Sequence, residues 1–280
     1  MGTVSQLRGH ATKLAITAPA NHTLAHYELR LGDERLALNP LLGQRIRLCH
    51  EGEIRCVSCG RKTRKSFSQG HCYRCFISLA SCDRCIMSPE RCHFFEGTCR
   101  EPEWGERHCF APHIVYLAAS ANLKVGITKP SQMPVRWLDQ GASRALPIFD
   151  VASRQQSGFV EDLLRSRISD RTPWQRMLKG EQSDADLLAW RDALFEEFAT
   201  PLEALRQRFG EQAIKPRFDS VRSFEYPVLE APTKVKSVDL AKTPLLEGTL
   251  LGLKGQYLIL DTGVINIRRY QGYLLSVEAG

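Results

Sequence analysis

Hydrophobic and polar residues alternate in short stretches near both ends of this 280-residue chain, as they do in half-buried β-strands. Near the N-terminus the alternating stretches are 12–17, 23–30, 35–38 and 45–49. Near the C-terminus they are 250–253, 257–261, 263–268 and 273–277, with glycines between them. The pattern therefore predicts a small β unit at the start of the chain and a small β-sheet or barrel at its end.

The middle of the chain alternates between strand-like and helix-like patterns. Two apolar stretches, 113–118 and 123–128, flank a Ser-Ala-Asn turn and predict a β-hairpin. A short helix over 135–141, a third strand over 148–152 and an amphipathic helix over 159–168 follow. The predicted order of elements in this segment is therefore β-β-α-β-α.

Two segments have the composition of helix starts. They are 172–175, Thr-Pro-Trp-Gln, and 200–203, Thr-Pro-Leu-Glu, and each predicts a capping box with threonine as the N-cap. Apolar spacing predicts a long helix from about 184 to 198 and a second one that runs to 209.

These patterns predict an α+β fold in five segments. The segments are an N-terminal β unit (1–48), a cysteine-rich region (49–110), a sheet with helices (111–180), a helical segment with a linker (181–239) and a C-terminal β segment (240–280). A composition of 43% hydrophobic and 25% charged residues is that of a globular protein and excludes a disordered chain. No apolar run reaches the ~18 residues that span a bilayer, and the first residues lack a secretory signal. We therefore expect a cytoplasmic protein without membrane contact.

Ten cysteines are the most informative part of the composition, and eight of them lie between positions 56 and 99. Because cytoplasmic thiols stay reduced, metal binding is their expected use. Three Cys-x-x-Cys pairs and one wider pair supply enough thiolates for two closed, structural zinc sites. The simplest partition is sequential, with Cys56, Cys59, Cys72 and Cys75 on the first zinc and Cys82, Cys85, Cys92 and Cys99 on the second.

Several alternatives to this assignment stay open. The two sets of ligands could interleave, and His71 or His93 could replace a thiolate. A redox Cys-x-x-Cys motif and an iron–sulfur cluster are other uses of such spacing. Cys49 and Cys109 flank the region as small buried residues or as spare ligands. Because four thiolates outweigh one Zn²⁺, two such sites would lower the formal charge of the chain from +7 to about +3.

The basic residues are most concentrated in the segment 45–65. The candidates there for contact with phosphate groups are Arg55, Arg61, Lys62, Arg64 and Lys65. A local surplus of positive charge favours DNA or RNA as a partner, whereas a solvated loop is the alternative. The acidic helical segment 184–209 instead favours a protein partner.

The segment 113–161 contains HIVYL at 113–117, LKVGIT at 123–128, then Arg136 and Glu161, and it resembles the GIY-YIG nuclease module. The resemblance implies a small three-stranded sheet with helices. It also implies that Tyr116 lies at the cleavage site, that Arg136 stabilises the charge on the attacked phosphate and that Glu161 holds one Mg²⁺ or Mn²⁺ ion.

Two positions depart from the pattern of that module. Lys124 stands where the second motif usually has tyrosine, and Gln140 stands where many members have histidine or tyrosine. Because glutamine cannot accept a proton at neutral pH, the general base would be Tyr116, Lys124 or a metal-bound hydroxide.

Most of the chain also resembles the bacterial family DUF2797. The strings that carry this resemblance are CVSCGRKTRKSF in the cysteine-rich region, VYLA, LKVGIT and VRWLDQGA in the middle, and GLKGQYLILDTGV near the end. The family implies an architecture and no particular activity. Three functions are then consistent with the sequence: a metal-dependent nuclease, a non-catalytic nucleic-acid-binding protein and a protein-interaction adaptor.

Overall fold

The computed structural model describes residues 5–19 and 22–280, and it confirms the predicted α+β class. Its elements form three antiparallel β-sheets and seven α-helices over these residues, with short 3-10 turns between them. None of the helices in this part of the chain is both long and apolar enough to cross a membrane.

The largest sheet joins the two ends of the chain. Its strands are β1 (Ser5–His10), β5 (Arg45–Ile54), β11 (Leu245–Lys254), β12 (Tyr257–Leu260), β13 (Gly263–Asn266) and β14 (Tyr273–Ala279). Their order in the sheet is β1-β14-β5-β11-β12-β13. The segments 1–48 and 240–280, which the sequence patterns separate, therefore share one sheet. Alternation along a strand specifies which face is buried, but it does not specify which distant strand is its partner.

A small sheet packs against this large one. It contains β2 (Ala15–Thr17), β3 (His26–Leu31) and β4 (Glu34–Ala37), paired in that order. Alternate residues of β3 are buried, as the polar and apolar pattern predicts. The two sheets bury their apolar side chains in a common core that includes Leu29, Leu48 and Leu275.

The third sheet lies in the middle of the chain. It contains β6 (His113–Ala119), β7 (Leu123–Thr128), β8 (Arg144–Val151), β9 (Ile214–Pro216) and β10 (Arg222–Ser223). The order is β10-β8-β6-β7, and β9 also pairs with β8. β6 lies between two long neighbours, and all seven of its residues are buried. The predicted hairpin and the predicted third strand are both confirmed.

The α-helices lie around the three sheets and within the cysteine-rich region. They are α1 (Tyr73–Ser78), α2 (Pro102–Cys109), α3 (Val135–Asp139), α4 (Arg154–Leu164), α5 (Trp174–Leu178), α6 (Leu187–Glu197) and α7 (Ala199–Phe209). α4 starts five residues earlier than predicted, because the Ser153 hydroxyl accepts a hydrogen bond from the Gln156 amide at 3.3 Å and caps it. The β-β-α-β-α order is confirmed by β6, β7, α3, β8 and α4.

Both predicted capping boxes are wrong in detail. Thr172 does not cap α5, and α7 starts at Ala199, before Thr200, without a side-chain cap. The Thr172 hydroxyl instead accepts a hydrogen bond from the Lys124 ammonium at 2.8 Å. The hydroxyl group that the local pattern assigned to the helix N-terminus is therefore bonded to a residue that is distant in sequence.

Candidate functional site

The first four cysteines of the cluster converge on one point. The sulfur atoms of Cys56, Cys59, Cys72 and Cys75 all lie within 4.8 Å of one another, and the Cys59 and Cys72 sulfurs are 3.8 Å apart. Tetrahedral thiolate coordination at about 2.3 Å from zinc places neighbouring sulfurs a little under about 4 Å apart. These four residues could therefore hold a metal ion such as zinc, in the grouping that the sequential partition predicts for the first site.

Two tight local structures present these sulfurs on the same side. In the first, the Gly60 amide donates to the Cys56 carbonyl at 2.9 Å, and Gly60 has a left-handed φ of 69°. In the second, Cys72 immediately precedes α1 and Cys75 lies in its first turn. Each Cys-x-x-Cys pair thus points both of its sulfurs towards the other pair.

The ionisation of these thiols favours a bound cation. Burial opposes ionisation of Cys56, but backbone amides of Cys59, Cys72 and Ser58 outweigh burial and lower its thiol pKa to about 6. Burial and hydrogen bonds with Cys59 and Cys72 raise the pKa of the Cys75 thiol to about 12. The first thiolate thus forms readily, whereas the last must form beside other negative charges. A divalent cation would remove that repulsion.

The other predicted ligands are not assembled in the same way. Over the described residues, the second potential metal-binding group consists of Asp83, Cys85 and His93. Cys82 instead faces Ser68 and Ser81. Cys85, Cys92 and Cys99 line a small cavity, where they are joined by Cys109, a residue that the sequential partition leaves out.

The five residues that the nuclease resemblance singles out lie together in a polar cluster. Tyr116 comes from β6, Lys124 from β7, Arg136 from α3, Gln140 from just after α3 and Glu161 from α4. The Tyr116 hydroxyl donates to the Gln140 side-chain oxygen at 3.1 Å, and the Lys124 ammonium donates to the same oxygen. Arg136 and Glu161 interact electrostatically with both Tyr116 and Lys124. We refer to these five residues as the polar cluster.

A glycine on the neighbouring strand makes room for the tyrosine ring. Gly126 of β7 is directly opposite Tyr116 of β6. A Cβ atom at position 126 would lie 2.7 Å from both the ring carbon that carries the hydroxyl and the hydroxyl itself. The glycine of the second motif is therefore explained by the close approach of Tyr116.

A buried network fixes α3 to the two ends of the chain, and sequence reasoning missed it. The Asp139 carboxylate accepts hydrogen bonds from Lys13 at 2.6 Å and from Gln256 at 2.8 Å. Gln256 lies in the turn between β11 and β12, and it also exchanges hydrogen bonds with the backbone of Leu14. The only signal in the sequence was the position of Asp139 beside Gln140.

Burial shifts the pKa values of two ionisable groups in the polar cluster towards 7. Burial and the nearby Arg136 charge lower the pKa of the Lys124 ammonium to about 7. Burial and the Asp170 carboxylate raise the pKa of Glu161 to about 7. Groups with pKa values near 7 can exchange protons at physiological pH, and such values are common at functional sites.

The pKa of Glu161 predicts how stability depends on pH. Between its usual value of 4.5 and about 7, the folded chain keeps a proton that the unfolded chain loses, so rising pH destabilises the fold. Glu161→Gln has no ionisable group at this position, so its stability does not fall for this reason. We therefore compare the free energies of unfolding of Glu161→Gln and the parent chain. We expect the variant's value minus the parent's value to increase from pH 5 to 7, by on the order of 1 kcal/mol per pH unit. Denaturant titrations across this range test it, and a pH-independent difference would contradict it.

The basic residues of segment 55–65 are all exposed, and two of them share one carboxylate. Arg55 and Lys62 pair with the Glu53 carboxylate at 2.7 Å and 3.0 Å. Hydrogen bonds from these two residues lower the Glu53 pKa to about 2. Arg61, Arg64 and Lys65 form no ion pair with any residue that the structure describes. The part of the basic patch without a carboxylate partner therefore consists of these three residues.

The fold and its sites define an α+β protein that combines a four-cysteine group, which could hold a metal ion, with a partly buried polar cluster. The chain belongs to the family DUF2797, described as a protein of unknown function, whose model matches residues 43–275. The match includes the four-cysteine group and the polar cluster, and it begins after β4. Comparisons with curated proteins and with solved structures gave no match.

Proposed function

We propose that this protein binds nucleic acid and hydrolyses a phosphodiester bond at the polar cluster. The observation that carries the proposal is the convergence of five chemically complementary side chains from two strands, two helices and a loop. A carboxylate, a guanidinium, an amine and a phenol are the groups that phosphodiester hydrolysis uses. The resemblance of these motifs to the GIY-YIG module, and the β-β-α-β-α order, support the same proposal.

The roles follow from exposure and charge. Arg136 and Glu161 are half-buried, so substrate can reach them, and the Glu161 carboxylate makes no hydrogen bond or ion pair to any residue that the structure describes. A Mg²⁺ or Mn²⁺ ion at the Glu161 carboxylate would supply positive charge against the phosphate. Arg136 would contact a non-bridging phosphate oxygen and stabilise the charge that develops there.

The remaining residues of the polar cluster would take part in proton transfer. Lys124, with its pKa near 7, is neutral often enough at physiological pH to take a proton from the attacking water. Water would form a new bond to phosphorus, the bond to the leaving oxygen would break, and that oxygen would take a proton from solvent. Gln140 would orient Lys124 and Tyr116, since both donate to its side-chain oxygen.

The test is a cleavage assay with the purified full-length chain, on single- and double-stranded DNA and RNA. We expect cleavage with Mg²⁺ or Mn²⁺ and none when both are omitted. Omission is the right control, because a chelator would also remove metal from the cysteine centre. Failure to cleave any of these substrates with either metal would overturn the catalytic proposal.

A second candidate function is nucleic-acid binding without cleavage. The observation that favours it is burial, because Tyr116 is 0% exposed and Lys124 is 4% exposed. A group that solvent does not reach contacts substrate only if the site opens. Binding without cleavage in the same assay would support this second function over the first.

The three unpaired basic residues predict the salt dependence of binding. Because each neutralised phosphate releases counterions, the slope of log affinity against log salt on duplex DNA becomes shallower by about 0.9 for each phosphate that the protein ceases to neutralise. We expect the combined Arg61→Gln, Arg64→Gln and Lys65→Gln variant to weaken binding and to flatten this slope by up to about 2.7. Fluorescence anisotropy over a series of salt concentrations measures it.

The chain provides a matched control for that variant. Arg55→Gln and Lys62→Gln together remove two exposed positive charges, one of which the Glu53 carboxylate balances. We expect this pair to change the slope less than the triple variant does. Equal effects per charge, or no effect of the triple variant, would show that the patch does not contact phosphate.

A further inference from the structure

We propose that Cys109, and not Cys82, completes a second zinc site with Cys85, Cys92 and Cys99. The inference concerns a structural metal site and is independent of whether the polar cluster cleaves nucleic acid. It changes one ligand of the sequential partition and gives a role to a cysteine outside the Cys-x-x-Cys pairs.

Four cysteine residues line one small cavity. Cys85, Cys92, Cys99 and Cys109 all line a space of about 10 Å³. The sulfurs of Cys92, Cys99 and Cys109 do not all lie within 4.8 Å of one another, so an ion bound here would draw them closer together. A space of this size is about what one water-sized sphere occupies, which suits a single ion. The aromatic residues Phe94 and Trp104 close other parts of its wall.

The backbone between Cys82 and Cys85 sends their side chains in different directions. Cys82 ends one 3-10 turn, Ala80–Cys82, and Cys85 lies inside the next, Arg84–Ile86. Asp83 between them is extended, with φ −70° and ψ 159°. The thiol of Cys82 therefore faces Ser68 and Ser81 instead of the cavity.

Helix α2 supplies the fourth thiol. Cys109 is the last residue of α2, and Gly105 lies one turn earlier on the same face. A Cβ atom at position 105 would lie 3.2 Å from the Phe94 ring and 3.5 Å from the Cys99 sulfur. This glycine thus lets α2 approach Cys99 closely, and the approach brings Cys109 to the cavity.

The group formed by Asp83, Cys85 and His93 has a different explanation. The Asp83 carboxylate forms an ion pair with Arg100 at 2.8 Å, and it lies 3.5 Å from the His93 ring. The other ring nitrogen of His93 is 2.7 Å from the Thr98 hydroxyl. Asp83 and His93 are therefore held by protein partners, and we place them outside the ligand set.

The second site would fix the helix that carries Glu161. The Arg154 guanidinium donates to the Ile86 carbonyl at 2.6 Å, and the Gln155 amide donates to the Cys92 carbonyl at 3.1 Å. A Cβ atom at Gly158 of α4 would lie 2.5 Å from the Glu90 amide nitrogen. Loss of the ion would therefore loosen the surface on which the start of α4 rests.

The first test is metal content with single-cysteine variants of the full chain. We expect two zinc ions per chain in the parent protein, two in Cys82→Ser, one in Cys109→Ser and two again in Cys109→His, because imidazole can replace thiolate in a tetrahedral site. His93→Ala should also keep two. Two ions in Cys109→Ser, one in the parent chain, or one in Cys82→Ser or His93→Ala, would overturn the assignment.

A second test needs no substitution and remains informative if Cys109→Ser does not fold. Zinc-bound thiolates react slowly with iodoacetamide, and peptide mass spectrometry identifies which cysteines are alkylated. In the zinc-loaded parent chain we expect Cys82 to be alkylated and Cys109 to be protected until zinc is removed by a chelator. Alkylation of Cys109 as fast as Cys82 with zinc still bound would contradict the proposal.

Discussion

Cys72→Ser is expected to lose one metal ion per chain and to unfold the cysteine-rich region locally. The region buries few apolar side chains of its own, because those that are buried between residues 56 and 110 are Cys56, Cys72, Ala80 and Pro89. Zinc contributes roughly 10–16 kcal/mol to the folding of small zinc-binding peptides, so a broken site cannot be compensated by so few contacts. Serine does not replace a thiolate ligand.

The measurements are metal content and limited proteolysis. We expect new cleavage sites within 56–78 in Cys72→Ser and the parent pattern in Cys49→Ser, which is the matched control. Cys49 lies on β5, outside the four-cysteine group, and its thiol makes only a long contact with the His50 carbonyl at 3.8 Å. A Cys72→Ser chain with unchanged metal content and an unchanged proteolysis pattern would show that the four thiols do not hold a structural ion.

Glu161→Gln is expected to reduce phosphodiester cleavage by at least about a hundredfold, if the polar cluster is the reaction centre. The amide has nearly the same shape as the carboxylate but carries no charge, so it binds Mg²⁺ or Mn²⁺ poorly. Because the ionised carboxylate is costly to bury, the same substitution should not lower stability at pH 7. Lost activity in a chain of undiminished stability would then identify a chemical role for Glu161.

The control for this variant is Asp162→Asn. Asp162 is the next residue of α4, is exposed and forms a surface ion pair with Arg165 at 3.5 Å. It should cleave at the parent rate, since exposed pairs contribute little. A Glu161→Gln chain that cleaves as fast as the parent would remove Glu161 from the mechanism, whereas the salt dependence of binding would still test nucleic-acid association separately.

Most of the elements were predictable because their patterns are local. The alternation in β3 and the hairpin formed by β6 and β7 appear where the sequence predicts them. The errors occur where a distant residue competes with a local one. Thr172 stands in a sequence typical of a helix cap, but its hydroxyl accepts a hydrogen bond from the Lys124 ammonium. Strand β1 lacked a predicted counterpart because its pairing with β14 joins residues at opposite ends of the chain.

The candidate sites follow the same division. The first cysteine group was predictable because each Cys-x-x-Cys pair is a local turn or helix start, and the motif residues of the polar cluster were predictable by resemblance. The contributions of Asp139 and Gln256 were not, because hydrogen bonds between residues 117 positions apart leave no periodic signal. They determine how α3 and Gln140 are held.

The sequence by itself determined the class of fold, the family and the residue types available for metal and phosphate chemistry. Spacing along the chain was sufficient for these, because it records which side chains share a turn or a face. Only the tertiary structure decided that the two chain ends form one sheet and that Glu53 neutralises part of the basic patch. It also decided that Cys82 and Cys109 face different surroundings, because an extended residue at Asp83 and the packing of α2 set those directions.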